Sequence, residues 1–336
     1  CERLREPFMQ THHGGNEDWD VRQVNDYANG DITVWNEMLS ILNRSGNNDL
    51  SQADWEDALE IMDPVNMADY FLINIYGATW DWPQNNWVGA RERTTDGKYR
   101  LYVWDAEGAF HSQGYFNPVS HNSFTADLLS KTDTLSTLFK GLMKAPEFRL
   151  IFADRINKHM FNDGVLDDRA GANSTIVVTS TELRNTYQPL LSFVHGQSVQ
   201  TSYLSNWVSP SVGRRRYLFG PSRTDFSDND LWPSLAPPAF SQHGGEVQAN
   251  YPLGITGSSG TIYYTLDGSD PRELGGAVSA SAITYSSAPS LAQGTTVAKA
   301  RIRNGSTWSA LTEATFTVEL TAPSASNLVI SEFLYH

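Results

Sequence analysis

The hydrophobic pattern changes its period along the chain. Between Asp31 and Leu42 the apolar residues Ile32, Trp35, Met38, Leu39 and Leu42 fall on one helical face, with Asp31 placed to cap it. Ser51 to Met62 repeats that spacing, and Ser51 with Asp54 forms a variant of the capping box. The next run, MADYFLINIYG, is apolar nearly all round, as a helix at the centre of a core should be, and Gly77 is placed to stop it. From 87 to 104 the period falls to two, and strand-like runs flank Asp96-Gly97, a dipeptide that favours a tight type I′ hairpin turn. A helical period returns from about Thr125 to Trp232, strongest in LSTLFKGLMKAPEFRLIFADRINKHMF, which Pro146 interrupts. The opening CERLREPF reads as strand-like.

Prolines 233, 237 and 238 mark a domain boundary. Beyond it the runs TIYYTL, TVAKARI and ATFTVEL, separated by Gly, Ser, Asp and Asn turns, predict an all-β sandwich over 237–319. A small-residue linker, TAPSASN, then leads into a further strand in NLVISEFLYH. The predicted fold class is therefore α+β, a mainly helical domain with a β-hairpin over 1–233 joined to an all-β module.

Composition narrows the function. The 336 residues are too many for one core, and 38 acidic against 24 basic residues give a net charge of −14, which disfavours nucleic acid and anionic lipid as partners. Arg214, Arg215 and Arg216 form the densest basic run and read as a solvated helix end. No apolar run approaches the roughly 18 residues of a membrane span. The single cysteine, Cys1, allows no internal disulfide, and it reads as an interior residue of a longer protein.

The candidate chemistry lies at the hairpin. With a two-residue turn at Asp96-Gly97, Asn86 faces Glu107 and Val88 faces Asp105, so Asp81, Asn86, Asp105 and Glu107 come to one mouth. Four oxygen donors without cysteine or histidine suit Mg2+ before Zn2+, and oxygen ligation of Mg2+ points to phosphate chemistry. Asp81 to Asn86 is also D-x-x-x-x-N, the spacing of a protein-kinase catalytic loop. In that logic Asp81 orients or deprotonates an acceptor hydroxyl, while Asn86 and Asp105 hold Mg2+ on nucleotide phosphates. Asn85 rivals Asn86 as the ligand, and the bland alternative makes both aspartates turn and cap residues. Trp80, Trp82, Trp87 and Trp104 form either a sugar platform or, as aromatics flanking a hairpin usually do, its packed base. His12 and His13 diverge in an extended segment, and His121 and His159 lack partners at ligand spacing. No serine-hydrolase elbow, P-loop or dinucleotide fingerprint occurs.

NEDWD at 16–20, the run DPVNMADYFLINIYGATWDWPQNNW and YRLYVWDAEGAF resemble the CotH family of secreted and spore-coat proteins, whose members include atypical protein kinases. The resemblance covers about residues 1–233. It implies a partial kinase-like domain, mainly C-lobe, with most of the N-lobe absent and ATP binding by this stretch correspondingly weak. It implies Asp81 as the catalytic aspartate, Asp105 as the Mg2+-binding aspartate and Asn86 as the second metal ligand. Many members read WDxDxxFG where this chain has WDAEGAFH, so Glu107 stands at the second acid, a metal ligand able to reach through water, and His111 stands where glycine is frequent. The cofactors implied are Mg2+ and ATP, the partner a protein with a Ser or Thr acceptor, and the location extracellular or at the bacterial cell surface.

Residues 237–319 are similar to the chitobiase/β-hexosaminidase C-terminal-type domain, through GTIYYTLDGSDPR, TTVAKARI and WSALTEATF. That implies an immunoglobulin-like sandwich acting as an extracellular spacer. Trp308 is either its contact for a cell-surface glycan or, as a tryptophan near a strand end more often is, part of the packed rim, and TLDGSDP reads as a tight turn rather than a calcium loop. Residues 326–336 resemble the first strand of a lamin-tail domain. Two other readings stay open: a non-catalytic surface or glycan-binding adhesion protein with a degenerate kinase core, and a glycosidase, whose two carboxyl groups would lie about 5 to 9.5 Å apart.

Overall fold

The computed structural model describes residues 4–15, 18–24, 26–110, 117–170, 173–178, 181–182, 218 and 231–318, with the backbone alone at 26, 27 and 107. The predicted helix end at Arg214 to Arg216, His111, and the strand predicted in 326–336 lie outside these residues. The architecture is α+β, and the chain divides into two compact units, Cys1–Ser234 and Leu235–His336.

The first unit opens with helix α1 (Glu6–His13), where the sequence reads as strand-like. Pro7 is accommodated in the first turn, where its missing N–H costs nothing, and Met9 becomes fully buried beside Leu4. Burial of that face, rather than local strand preference, decides the element. Strands β1 (Trp19–Gln23) and β2 (Asp26–Asn29) follow, and with β3 (Trp87–Glu92) and β4 (Arg100–Val103) they form one antiparallel sheet in the order β2-β1-β3-β4. In β3 the residues Trp87, Val88, Gly89 and Ala90 are all buried. Val88 and Ala90 pack with Met9, Trp19 and Val21, whereas Trp87 joins the main helical core, so both faces of this strand are covered.

Helices α2 (Thr33–Asn43), α3 (Gln52–Ile61) and α4 (Pro64–Gly77) occupy the predicted places. Ser51 caps α3 by accepting from the Asp54 N–H, Asp63 caps α4 by accepting from Asn66, and Asp31 accepts from the Thr33 N–H at the start of α2. α4 is the core helix: Met67, Phe71, Leu72, Ile75 and Tyr76 are at most 1% exposed. It ends not at Gly77, which is still helical, but at Ala78, whose left-handed backbone (φ 45°) lets its N–H return to the carbonyls of Asn74 and Ile75. Further on, a six-residue π-helical stretch (Phe124–Leu129) precedes α5 (Thr134–Met143) and α6 (Pro146–Met160). Pro146 starts α6 rather than interrupting one long helix, because the first turn is where proline fits.

The hairpin register differs from the prediction. Trp87 pairs with Val103 and Val88 with Tyr102, so Asn86 does not face Glu107 and Val88 does not face Asp105. Neither Asp96 nor Gly97 has the positive φ that a type I′ turn demands, and residues 93–98 form a wider loop. The cause lies at Tyr99. It is fully buried, edge-on to Trp35, and its backbone bonds Ile61 and Asp63 at the α3–α4 junction. Asn66 then accepts from the Leu101 N–H at 2.6 Å and fixes β4 against α4. Burial of one ring and three tertiary hydrogen bonds outweigh the local preference of one dipeptide.

Among the described residues of the second unit there is no helix. Strands β5 (Ala239–Phe240) and β7 (Ile255–Thr256) pair with each other. A six-stranded sheet joins β6 (Gly245–Val247), β12 (Thr312–Val318), β10 (Gly294–Asn304), β8 (Thr261–Thr265) and β9 (Ile283–Thr284) in that order, with β11 (Thr307–Trp308) on β10. Its core holds Phe240, Leu253, Ile255, Ala300 and Phe316. TLDGSDP is a turn: Asp267 accepts from the N–H and hydroxyl of Ser269, and Asp270 takes a bidentate pair from Arg301. Trp308 is 5% exposed and its ring N–H donates to the Gly276 carbonyl, so its face is spent on packing rather than offered to sugar.

Candidate active site at the mouth of the hairpin

Two chain segments meet where α4 ends and β4 ends. The Phe110 N–H donates to the Gly77 carbonyl at 2.7 Å and the Trp80 N–H to the Gly108 carbonyl at 3.4 Å, so residues 77–80 and 108–110 run side by side. Asn117 donates to the Ala78 carbonyl from another direction. This clasp draws the Asp81 loop and the Asp105 loop together, in place of the strand register expected from sequence.

Within the clasp the backbone is unusual. Asp81 (φ 58°), Asn86 (φ 60°) and Asp105 (φ 54°) are all left-handed, as are Ala78 and Phe110 close by. Each such residue costs free energy on the order of 1 kcal/mol or more, less for Asn and Asp than for others, and such residues persist where the surroundings over-determine them and cluster at functional sites. Here the anchors are visible. Trp82 is 1% exposed, packs near Phe71, and its ring N–H donates to the Tyr70 hydroxyl at 3.0 Å. Burial holds the Tyr70 phenol well above its ordinary pKa, although the Trp82 bond works the other way, so Tyr70 stays a neutral acceptor. Trp87 is likewise buried, stacked on Trp35. Both belong to the packed base of the hairpin, whereas Trp80 is 46% exposed.

The side chains divide the work. Gln84 donates to Asp81 Oδ1 at 2.9 Å, and Asn85 Nδ2 bridges both Asp81 oxygens at 3.0 Å. A carboxylate offers about four lone-pair positions, so this pattern leaves the second one on Oδ2 for an incoming proton donor. Asn85 is thereby committed to Asp81. Asn86 reaches the other way, its Nδ2 making a long 3.5 Å bond to the Asp105 carbonyl, which leaves its Oδ1 without a partner among the described residues. The exposed Asp105 carboxylate makes no hydrogen bond or ion pair among them either. Asp105 opens the short 3-10 helix Ala106–Gly108, which carries the Glu107 backbone; the Glu107 side chain lies outside the description.

The Asn86 amide oxygen and the Asp105 carboxylate are donors of the type that a hard divalent cation takes. Mg2+ needs only one or two carboxylates from the protein when phosphate oxygens complete its shell. Among the described residues no three His, Cys, Asp or Glu side chains converge as a protein-only cage would require.

Two participants were invisible to sequence reasoning. Gln84 lies inside the D-x-x-x-x-N spacing but carries no charge to mark it. Its Oε1 accepts from Lys131 Nζ at 2.6 Å across 47 positions, a pairing that no local period foretells.

Two family models match the chain: residues 3–209 match the model described as CotH kinase protein, and residues 253–316 match the one described as Fn3 associated. No curated protein matches it.

Proposed function

The chain belongs to the CotH kinase protein family, and from that premise we propose that it is the phosphotransferase part of a protein kinase, moving the γ-phosphoryl of Mg-ATP to a Ser or Thr hydroxyl of a protein at or beyond the bacterial cell surface. One observation carries the reading. Three residues at kinase-like spacing, Asp81, Asn86 and Asp105, share a left-handed backbone at the meeting of two clasped loops. Asp81 presents a carboxylate fixed by two amides, suited to orient the acceptor hydroxyl and accept its proton. Asn86 Oδ1 and the Asp105 carboxylate would hold Mg2+, which supplies charge neutralisation on the phosphates; Glu107 is a further ligand through water. The rest of the catalysis is positioning, which a rigid loop on a buried tryptophan supports. The appended β unit acts as a spacer.

Transfer of label from γ-32P-ATP to protein by the intact protein tests this. Asp81→Asn and Asp105→Ala should each reduce transfer by at least about a thousandfold, the scale of losing a general base or a charge-stabilising group, while leaving the melting curve in place. Retained transfer in both variants would defeat the assignment, and absence of transfer in the unaltered protein would favour the non-catalytic scaffold reading.

A further inference from the structure

We propose that Lys131 and Gln84 form a positioning relay that aims the Asp81 carboxylate, with buried Asp127 anchoring the lysine. The proposal rests on the phosphotransferase reading for its purpose but not for its geometry. Lys131 Nζ lies 2.6 Å from Gln84 Oε1 and 3.1 Å from Asp127 Oδ1, and Gln84 Nε2 lies 2.9 Å from Asp81 Oδ1. The other Asp127 oxygen lies 2.7 Å from His121 Nε2, and Asp127 is 6% exposed.

The chemistry of the donors fixes the direction of the relay. An ammonium has three donors and no acceptor, and an ionised carboxylate only accepts. A glutamine amide between them can satisfy both ends in one orientation only, oxygen toward Lys131 and nitrogen toward Asp81. Turning it over would oppose NH2 to an ammonium and carbonyl oxygen to a carboxylate. Lys131 thus selects the rotamer in which Gln84 grips Asp81, and the gripped oxygen is Oδ1, which leaves Oδ2 as the oxygen toward an acceptor hydroxyl.

A structural role alone accounts poorly for this arrangement. An exposed lysine-carboxylate pair adds little to stability and needs no third partner. Here the pair is partly buried, sits where the π-helical stretch Phe124–Leu129 hands over to α5, and spends a lysine proton on a neutral amide 47 positions away. Such one-turn π segments are frequent at functional sites. The Lys131 carbonyl is itself held by Lys140 at 2.5 Å, which fixes the backbone from which the relay projects.

Four variants and two readouts test the relay. Lys131→Met removes the lock, Lys131→Arg preserves a donor, Gln84→Leu removes the grip, and Gln84→Glu keeps an oxygen for Lys131 while turning a carboxylate on Asp81. With transfer kinetics, Lys131→Met, Gln84→Leu and Gln84→Glu should lower kcat by about ten- to a hundredfold, the cost of misplacing a reacting group, with KM for ATP within about twofold of the unaltered protein. Lys131→Arg should recover most of kcat. Independently of activity, the Gln84 side-chain amide resonances, assigned by their loss in Gln84→Leu, should show slowed proton exchange that Lys131→Met abolishes and Lys131→Arg restores. Unchanged Gln84 resonances in Lys131→Met, or a kcat within twofold in both Lys131→Met and Gln84→Glu, would overturn the relay. Absence of transfer in the unaltered protein would count against the phosphotransferase reading alone, and the resonances would still decide the relay.

Discussion

Adding one methyl group at Gly89 tests whether the hairpin that carries Asn86 and Asp105 is set by packing. Gly89 lies in β3 opposite Leu101, and a Cβ built there would stand 2.8 Å from Trp35 Cζ3 and 3.5 Å from Leu101 Cδ2. Trp35 cannot yield easily: it is fully buried, stacked on Trp87 at 5.5 Å between centroids, edge-on to Tyr99 at 5.1 Å, and lies under the Arg22 guanidinium at 5.6 Å. Overpacking of this kind costs about 1–3 kcal/mol. Replacing glycine in a strand returns about 0.5–1 kcal/mol through the unfolded chain, since Gly89 does not use the left-handed region. The net for Gly89→Ala is a loss of up to about 2.5 kcal/mol, centred on about 1 kcal/mol, or roughly 2–4 °C in Tm for a unit of this size at that centre. Tryptophan fluorescence follows it, because of the ten tryptophans only Trp308 belongs to the second unit. In a Trp35→Leu background the penalty should shrink by at least about 0.5 kcal/mol, the usual coupling of residues in contact. A Gly89→Ala protein as stable as the original, or a penalty unchanged in that background, would refute the packing argument.

The second unit should show an acid-sensitive ion pair. Burial tends to raise the Asp270 carboxyl, but hydrogen bonds and charge from Arg301, with the Arg272 N–H, outweigh it and hold the group below its ordinary value. The folded unit therefore binds fewer protons than the unfolded chain; the stabilisation is full above the unfolded value of about 3.9 and is lost as pH falls through the lower folded value. Asp270→Asn should flatten that limb of a calorimetric pH series and cost about 1–2 kcal/mol at neutral pH, less than a fully buried pair would, because Arg301 is 3% exposed but the Asp270 side chain is 35% exposed and screened by water; an unchanged acid limb would contradict this. Asp133 caps α5 by accepting from the Leu135 and Ser136 N–H groups, so Asp133→Ala should cost about 1–2 kcal/mol by thermal melting, and a cost below about 0.3 kcal/mol would remove the cap from the account.

What could be read from the sequence was what repeats locally. The helices α2 and α3 announce themselves because each has a helical stripe with a capping side chain at its start, α4 because its run is apolar nearly all round, and the D-x-x-x-x-N spacing with Asp105 pointed to the loops that the backbone brings together. The register of the hairpin was hidden because Asp96-Gly97 speaks only for the turn, whereas Tyr99 answers to Trp35 and to the α3–α4 junction, distant in sequence. Strands β1 and β2 escaped for a related reason: they form a short local hairpin, but the partner that completes their sheet is β3, some 65 to 73 positions further along the chain. α1 was misread because its strand-like opening gives way to a face buried only by the sheet. The relay through Gln84 and Lys131 combines neutral and charged groups with no shared period, and only folding makes them neighbours.

Binding of Mn2+ as a stand-in for Mg2+, followed by its electron paramagnetic resonance in the intact protein with a non-hydrolysable ATP analogue, separates the roles given to the three site residues. Asp105→Ala and Asn86→Ala should each weaken Mn2+ binding by at least about tenfold, whereas Asp81→Asn should bind the ion and nucleotide as before yet transfer no phosphoryl group. Undiminished Mn2+ binding in both Asp105→Ala and Asn86→Ala would contradict those roles.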